Sequence, residues 1–281
     1  MSNLGEPVTP ALLRAWGLPD PGDSKKARGE VVVVGGSRSS PGGAILAGEA
    51  ALRVGAGRVA LAVPGSIDAQ IGIAIPEAGI YALPDDAAEP LEGRLHQHLS
   101  TADAVLVGPG FDDGDETRAT LVAVADTRPQ LLVLDAFALG VLADVDRSTL
   151  PAALILNPNK EEAAILLGRE LADDAMTDLL EIARRFDAVV NCYGLVVDPS
   201  GDAWRIDAGG PGLGTSGSGD VLAGAIAGFA SRGLDPSRAA VWGAWAHAAA
   251  GDRLTERLGL GFLARELAAE LAPAIVPVSV S

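Results

Sequence analysis

The stretch Gly209–Gly228, GGPGLGTSGSGDVLAGAIAG, decides how the rest of the chain is read. In its first half Gly209, Gly210, Gly212, Gly214, Gly217 and Gly219 are interleaved with Pro211, Thr215, Ser216 and Ser218, a composition that suits neither helix nor strand. That half is predicted to be a loop. From Asp220 onward the residues turn small and apolar, as in a buried helix packed closely on its neighbours. A glycine loop feeding a helix leaves backbone N–H groups free to converge, and the unpaired donors and positive dipole end of the helix add to them. The junction is predicted to be an anion pocket. Asp220 stands there with two roles open to it: an ordinary N-cap after a glycine turn, or a base taking the proton of a hydroxyl that attacks a bound phosphate.

Upstream, Glu30–Val34 is a β-branched run without alternation, the pattern of a parallel strand covered on both faces. A glycine-rich turn, an apolar helix from about Gly43 to Val54 and a strand from Arg58 to Val63 complete a βαβ unit. No G-x-G-x-x-G opens that helix, so it lacks the dinucleotide fingerprint. Gly79–Leu83, Ala104–Val107, Leu131–Leu134 and Leu154–Leu156 read as further strands, and segments near Ala188–Val190, Gly194–Val197 and Ala203–Ile206 as a hairpin region before the loop. Ligands collect at strand ends in open parallel sheets, which brings Gly108 and Gly110 into the candidate site. Leu134 delivers Asp135, and NPNKEEAAILLG reads as a turn into a helix with Glu161 and Glu162 in its first turn.

Helices are expected from Thr9 to Trp16, around Leu91–Leu99, from Pro236 to Ala250 and from Gly261 to Leu271. His96 and His98, two residues apart, point to different faces and make no metal pair, while His247 reads as a packed residue. The pattern predicts a three-layer α/β/α fold with a largely parallel sheet. Residues 1–281 are read as a single domain, with 1–29 as N-terminal helix and connection and 272–281 as a loose tail beyond Pro273.

A formal charge of −16 and only three lysines, Lys25, Lys26 and Lys160, argue against a nucleic-acid surface. No apolar run approaches a membrane span, and the first residues lack the blocks of a secretory signal. The single Cys192 allows no intramolecular disulfide and points to a reducing cytoplasm.

GTSGSGDVLAG is similar to the glycine loop of the ribokinase-like superfamily, and PGLGTSGSGDVLAGAIAG is close to its version in ADP/ATP-dependent NAD(P)H-hydrate dehydratases. The likeness runs from about Pro7 to Leu271 and includes the turn before ALRVGAG, Pro76-Glu77, the GPG turn at 108–110 and Glu162. It implies a ribokinase-like domain that repairs hydrated NADH or NADPH, phosphorylating the hydrate with ADP or ATP and eliminating phosphate, in a homo-oligomer. It further implies Asp220 as base and substrate contact. Gly43, Ala44, Gly110 and Asn159 would lie against the substrate, and Asn191, Cys192, Ser216, Gly217, Ser218 and Gly219 against the nucleotide. Glu162 would organise Mg²⁺.

The chain departs from that family's pattern at several places. Ser40 stands for a common Tyr, Phe137 for the second Asp of Leu-Asp-Ala-Asp-Ala-Leu, and Asn159 for a His, while the Lys expected near 190 is absent. A small-alcohol kinase of the same superfamily, such as a vitamin-precursor kinase, and a nucleotide-binding module without turnover are the alternative readings. With an amide and an apolar ring where ionisable groups are usual, the expected pH–rate profile is flat between pH 6 and 8.

Overall fold

The computed structural model describes residues 5–172 and 174–279. In chain order it contains β1 (Glu6–Pro7), α1 (Pro10–Trp16), β2 (Glu30–Val34), α2 (Gly42–Arg53), β3 (Arg58–Pro64), α3 (Asp68–Ala74), β4 (Gly79–Leu83) and α4 (Gly93–Thr101). There follow β5 (Ala104–Val107), α5 (Gly114–Asp126), β6 (Leu131–Leu134), α6 (Phe137–Val141), β7 (Ala153–Leu156), α7 (Lys160–Leu167) and α8 (Ala175–Phe186). The last part holds β8 (Val189–Cys192), β9 (Leu195–Val197), β10 (Ala203–Arg205), α9 (Ser218–Ser231), α10 (Pro236–Leu258) and α11 (Ala264–Ser279).

All ten strands join one sheet in the order β1-β10-β9-β8-β7-β6-β5-β2-β3-β4. Every neighbouring pair is parallel except those on either side of β9. The valines of β2 alternate between two cores, as an interior strand requires. Val31 and Val33 join α2, α9, α10 and α11 on one face, whereas Val32 and Val34 join α4 to α8 on the other. The three-layer α/β/α architecture follows. None of the described helices is long and apolar enough to cross a membrane.

Register sets the site. Val34 pairs with Val107, Val107 with Leu134, Leu134 with Leu156 and Leu156 with Val190. The next residue of each strand therefore falls in one row across the carboxyl edge: Gly35, Gly108, Asp135, Asn157 and Asn191. From β2 the chain passes outward to β3 on one side and returns at β5 on the other, so the switch point lies between Gly35-Gly36 and Gly108-Pro109-Gly110.

Two helices run further than expected. α11 does not stop at Pro273 but continues through Pro273 and Pro277 to Ser279. The loose tail expected over 272–281 is thus helical as far as 279, with 280 and 281 outside the described residues. Ala274, Ile275 and Val278 are buried there, and this burial outweighs the hydrogen bonds that the prolines remove. α10 likewise passes Gly251, where a Cβ would lie 2.4 Å from Leu213 Cδ2. Close packing of the glycine loop on α10, rather than a helix stop, explains that glycine.

Candidate active site

The loop is held from behind. Ser218, the first residue of α9, donates its N–H to Thr215 O at 3.2 Å, and its hydroxyl lies 3.0 Å from His247 Nε2. That nitrogen is also 3.0 Å from Ser218 O, which can only accept, so Nε2 carries the hydrogen. His247 is buried, which lowers its pKa to about 4 and keeps the ring neutral. It is a pin for the loop. The Ser218 hydroxyl, buried against the ring, accepts from Nε2–H, so this side chain is turned into the protein, unlike the exposed Ser216. The N–H groups of Gly217, Gly219 and Asp220 find no acceptor among the described residues.

Gly217, left-handed at φ 85°, is the N-cap of α9, so Asp220 is its third residue rather than a cap. Its carboxylate accepts no hydrogen bond among the described residues. Burial pushes its pKa from 3.8 to about 6. It faces the first turn of α2: a Cβ on Gly43 would lie 2.7 Å from Gly110 N and 3.0 Å from Asp220 Oδ1. Gly110, at φ 80°, is in turn tight against the Ser40 carbonyl and Gly36, and Ala44 is fully buried beside them. Gly43, Gly110 and Asp220 are therefore brought together where the N-termini of α2 and α9 meet, at the switch point. A hollow of about 520 Å³ opens beside them, between Gly36, Ser37, Arg38, Ser66, Asp85 and Phe111.

Asp135 and its neighbours form a second group. Asn191 Nδ2 donates to Asn157 Oδ1 at 2.6 Å, and Asn157 Nδ2 donates to Asp135 Oδ1 at 2.8 Å. All three side chains are buried. Burial drives the Asp135 carboxyl well above the usual carboxylate range, the charges of Asp220 and Glu162 push the same way, and the Asn157 amide opposes them. Ala136, next in sequence, is held at φ 50°, ψ −128°, a strained backbone that aims Asp135 inward and leaves Phe137 43% exposed. Asn157 was not singled out from sequence; the available signal was an Asx residue directly after each apolar run.

The remaining residues divide. Asn159 caps α7, its Oδ1 accepting from Glu162 N and its N–H donating to Glu162 Oε2, both at 2.9 Å. Burial raises the pKa of Glu162. Asn191 and Cys192, expected to meet the nucleotide, turn their side chains into the protein because β8 is an interior strand covered on both faces. The Cys192 thiol is pushed up to about 12 by burial. Asn191 Oδ1 is buried and has no hydrogen-bond partner among the described residues. Elsewhere His98 Nδ1 lies 2.9 Å from Glu30 Oε1 and its other nitrogen meets the Tyr81 hydroxyl.

The sequence profile described as NAD(P)H-hydrate dehydratase matches residues 31–273. The chain belongs to the NAD(P)H-hydrate dehydratase family. It is 43% identical over 274 residues to the ADP-dependent (S)-NAD(P)H-hydrate dehydratase of Xanthomonas campestris, covering 94% of each chain. It is 35% identical to the bifunctional NAD(P)H-hydrate repair enzyme of Escherichia coli, of which it spans 49%. Among solved structures it is similar to the Bacillus subtilis ADP/ATP-dependent NAD(P)H-hydrate dehydratase co-crystallised with ATP/Mg²⁺, with TM-score 0.84, 26% identity and coverage of 99% and 100%. These likenesses place the fold of this family member among ribokinase-like proteins.

Proposed function

We propose that the chain is an ADP-dependent (S)-NAD(P)H-hydrate dehydratase, a carbon–oxygen lyase that restores NADH or NADPH from the hydrate. The observation that carries this reading is Asp220: a carboxylate that accepts no hydrogen bond among the described residues, poised between two helix N-termini whose N–H groups suit phosphate. The family relationship supplies the substrate.

In the proposed reaction the N–H groups of Gly217 and Gly219 hold the phosphoryl group as it passes from ADP to the ring hydroxyl, with Ser216 at the loop tip. Asp220 receives the hydroxyl proton. Phosphate then leaves the ring, more readily than hydroxide does, and the double bond returns. Gly43, Ala44 and Gly110 wall the reacting ring, and Asn159, whose Oδ1 is committed to its own helix, contributes its Nδ2 donors. Asn191 and Cys192 contribute backbone beneath the nucleotide.

Among the described residues no group of three or more His, Cys, Asp or Glu could hold a metal ion by itself. Asp135, which is buried, and Glu162, which is half-buried and with Asp220 raises the Asp135 pKa, form no ion pair among the described residues and instead suit a Mg²⁺ that keeps its waters and arrives on the phosphates. Bound there, Mg²⁺ would neutralise phosphate charge. A cytoplasmic location is supported by the reduced, buried Cys192. A homo-oligomer is supported by the exposed Leu258, Leu260 and Leu263 between α10 and α11, and light scattering of the purified chain tests it.

The decisive assay incubates the protein with NADH hydrate, Mg²⁺ and ADP or ATP. Return of dihydronicotinamide absorbance is expected, faster with ADP. No recovery with either nucleotide would overturn the reading, and phosphorylation of a small alcohol supplied in place of the hydrate would favour a kinase.

A further inference from the structure

A nucleoside diphosphate is hard to hold in a protein of formal charge −16 whose site already gathers Asp135, Glu162 and Asp220. The amides of the glycine loop serve the phosphate that is transferred. The phosphate that stays with the nucleotide needs its own counter-charge, and the three lysines differ sharply in where they stand.

Lys25 and Lys26 lie at the far end of the sheet, where the Lys25 carbonyl packs against Gly57 just before β3 begins. Lys160 stands at the carboxyl end. It is the first residue of α7, directly after Asn159 and two residues before Glu162. Its Nζ is 4.9 Å from the centroid of the Tyr193 ring, in the turn that joins β8 to β9. Its charge is also felt by the Cys192 thiol at the end of β8. The ammonium therefore bridges the β7–α7 and β8–β9 turns, above the row of strand ends that carries Asp135, Asn157 and Asn191.

Tyr193 and Gly194, at φ 46° and φ 80°, are the two central residues of the tight hairpin that pairs Cys192 with Leu195, a turn that needs positive φ at both. The turn carries Tyr193 outward, 71% exposed, where its side chain buries little and its ring is open to Lys160. The ring is a rest for the lysine: an exposed cation–π contact fixes a long flexible side chain but is weaker than a charge-assisted bond to phosphate, so it can be given up when phosphate arrives.

We propose that Lys160, parked on Tyr193, binds the phosphate that stays with the nucleotide and so positions ADP for transfer to the hydrate. The inference rests on the reading of the chain as an ADP-using enzyme. Lys160 takes no proton and touches no reacting bond; its effect is on affinity.

The test is calorimetric titration of ADP and, separately, adenosine into wild type, Lys160→Ala, Lys160→Arg, Lys160→Glu and Tyr193→Gly. Lys160→Ala is expected to weaken ADP about tenfold or more, the scale of losing one hydrogen bond to a charged group, and to flatten the loss of affinity with added salt. Lys160→Glu should weaken it further and Lys160→Arg should restore most of it, while adenosine binding stays unchanged. Tyr193→Gly relieves the backbone, so melting temperature holds while ADP weakens modestly. In turnover the KM for ADP should rise far more than kcat falls. Because Lys160 is exposed, unchanged melting temperatures guard against misfolding. Wild-type ADP affinity in both Lys160→Ala and Lys160→Glu would overturn the proposal alone; a wild type that binds no ADP would overturn the enzyme reading first.

Discussion

At the residue scale the proposed chemistry turns on Asp220, which the glycine motif singled out but whose state only burial decides. A base must be ionised, and its pKa is raised from 3.8 to about 6. Turnover should therefore rise through about pH 6 and level off above it. The flat profile expected from Asn159 and Phe137 is replaced by one with an acid limb, and His247, neutral throughout, adds no inflection. Asp220→Asn should leave ADP affinity roughly intact while turnover drops by about 10² or more. The same shift carries a stability prediction. The folded carboxyl holds its proton more tightly than the unfolded one, so its stabilisation is complete below pH 3.8 and is lost as pH rises through about 6. Asp220→Asn should accordingly melt a few degrees above wild type at pH 8, with the difference vanishing below pH 4; a lower melting point at pH 8 would show that the carboxylate has a structural partner.

At the element scale the site depends on how α2 and α9 pack. A Cβ on Gly224 of α9 would lie 2.1 Å from Ala47 O of α2, whereas one on Gly219 meets nothing within 4 Å. Gly224→Ala should cost about 1–3 kcal/mol in denaturant unfolding, the usual scale of overpacking, and lower activity by shifting Gly43. Gly219→Ala should fold at least as stably, because alanine favours helix, yet bind ADP more weakly where the methyl enters the open side of the loop. A matched loss of stability in both variants would contradict this division. The end of α11 gives a third prediction: deleting residues 272–281 removes buried Ile275 and Val278 and should lower stability by about 3 kcal/mol or more. The prolines marked a stop by local rule, but the apolar face beyond them had a surface to cover.

At the scale of the whole molecule, charge and topology act together. With a net −16, self-repulsion opposes the compact state, so melting temperature should rise as NaCl is raised from low to physiological ionic strength, even as ADP affinity falls. A salt-independent melting temperature would mean that the carboxylates are too dispersed to matter. Topology places the switch point between β2 and β5, which explains why a loop more than a hundred residues later lands on Gly43 and Gly110: α9 packs on α2, and α2 begins at that crevice.

Contiguous features could be read from the residues alone. The glycine loop, the entry into α9, the strands β2, β5 and β6 and the likeness to a known family each lie within one short stretch, where spacing and side-chain type suffice. Proximity between distant stretches could not. Asp135, Asn157 and Asn191 are 22 and 34 residues apart along the chain and meet only because parallel register sets their strand ends in a row. The inward turn of Ser218 and Cys192, the raised carboxyls and the rest of Lys160 on Tyr193 arise in the same way. Each is a matter of what else occupies the space around a group, and desolvation and charge coupling depend on distance through the folded molecule rather than along its sequence.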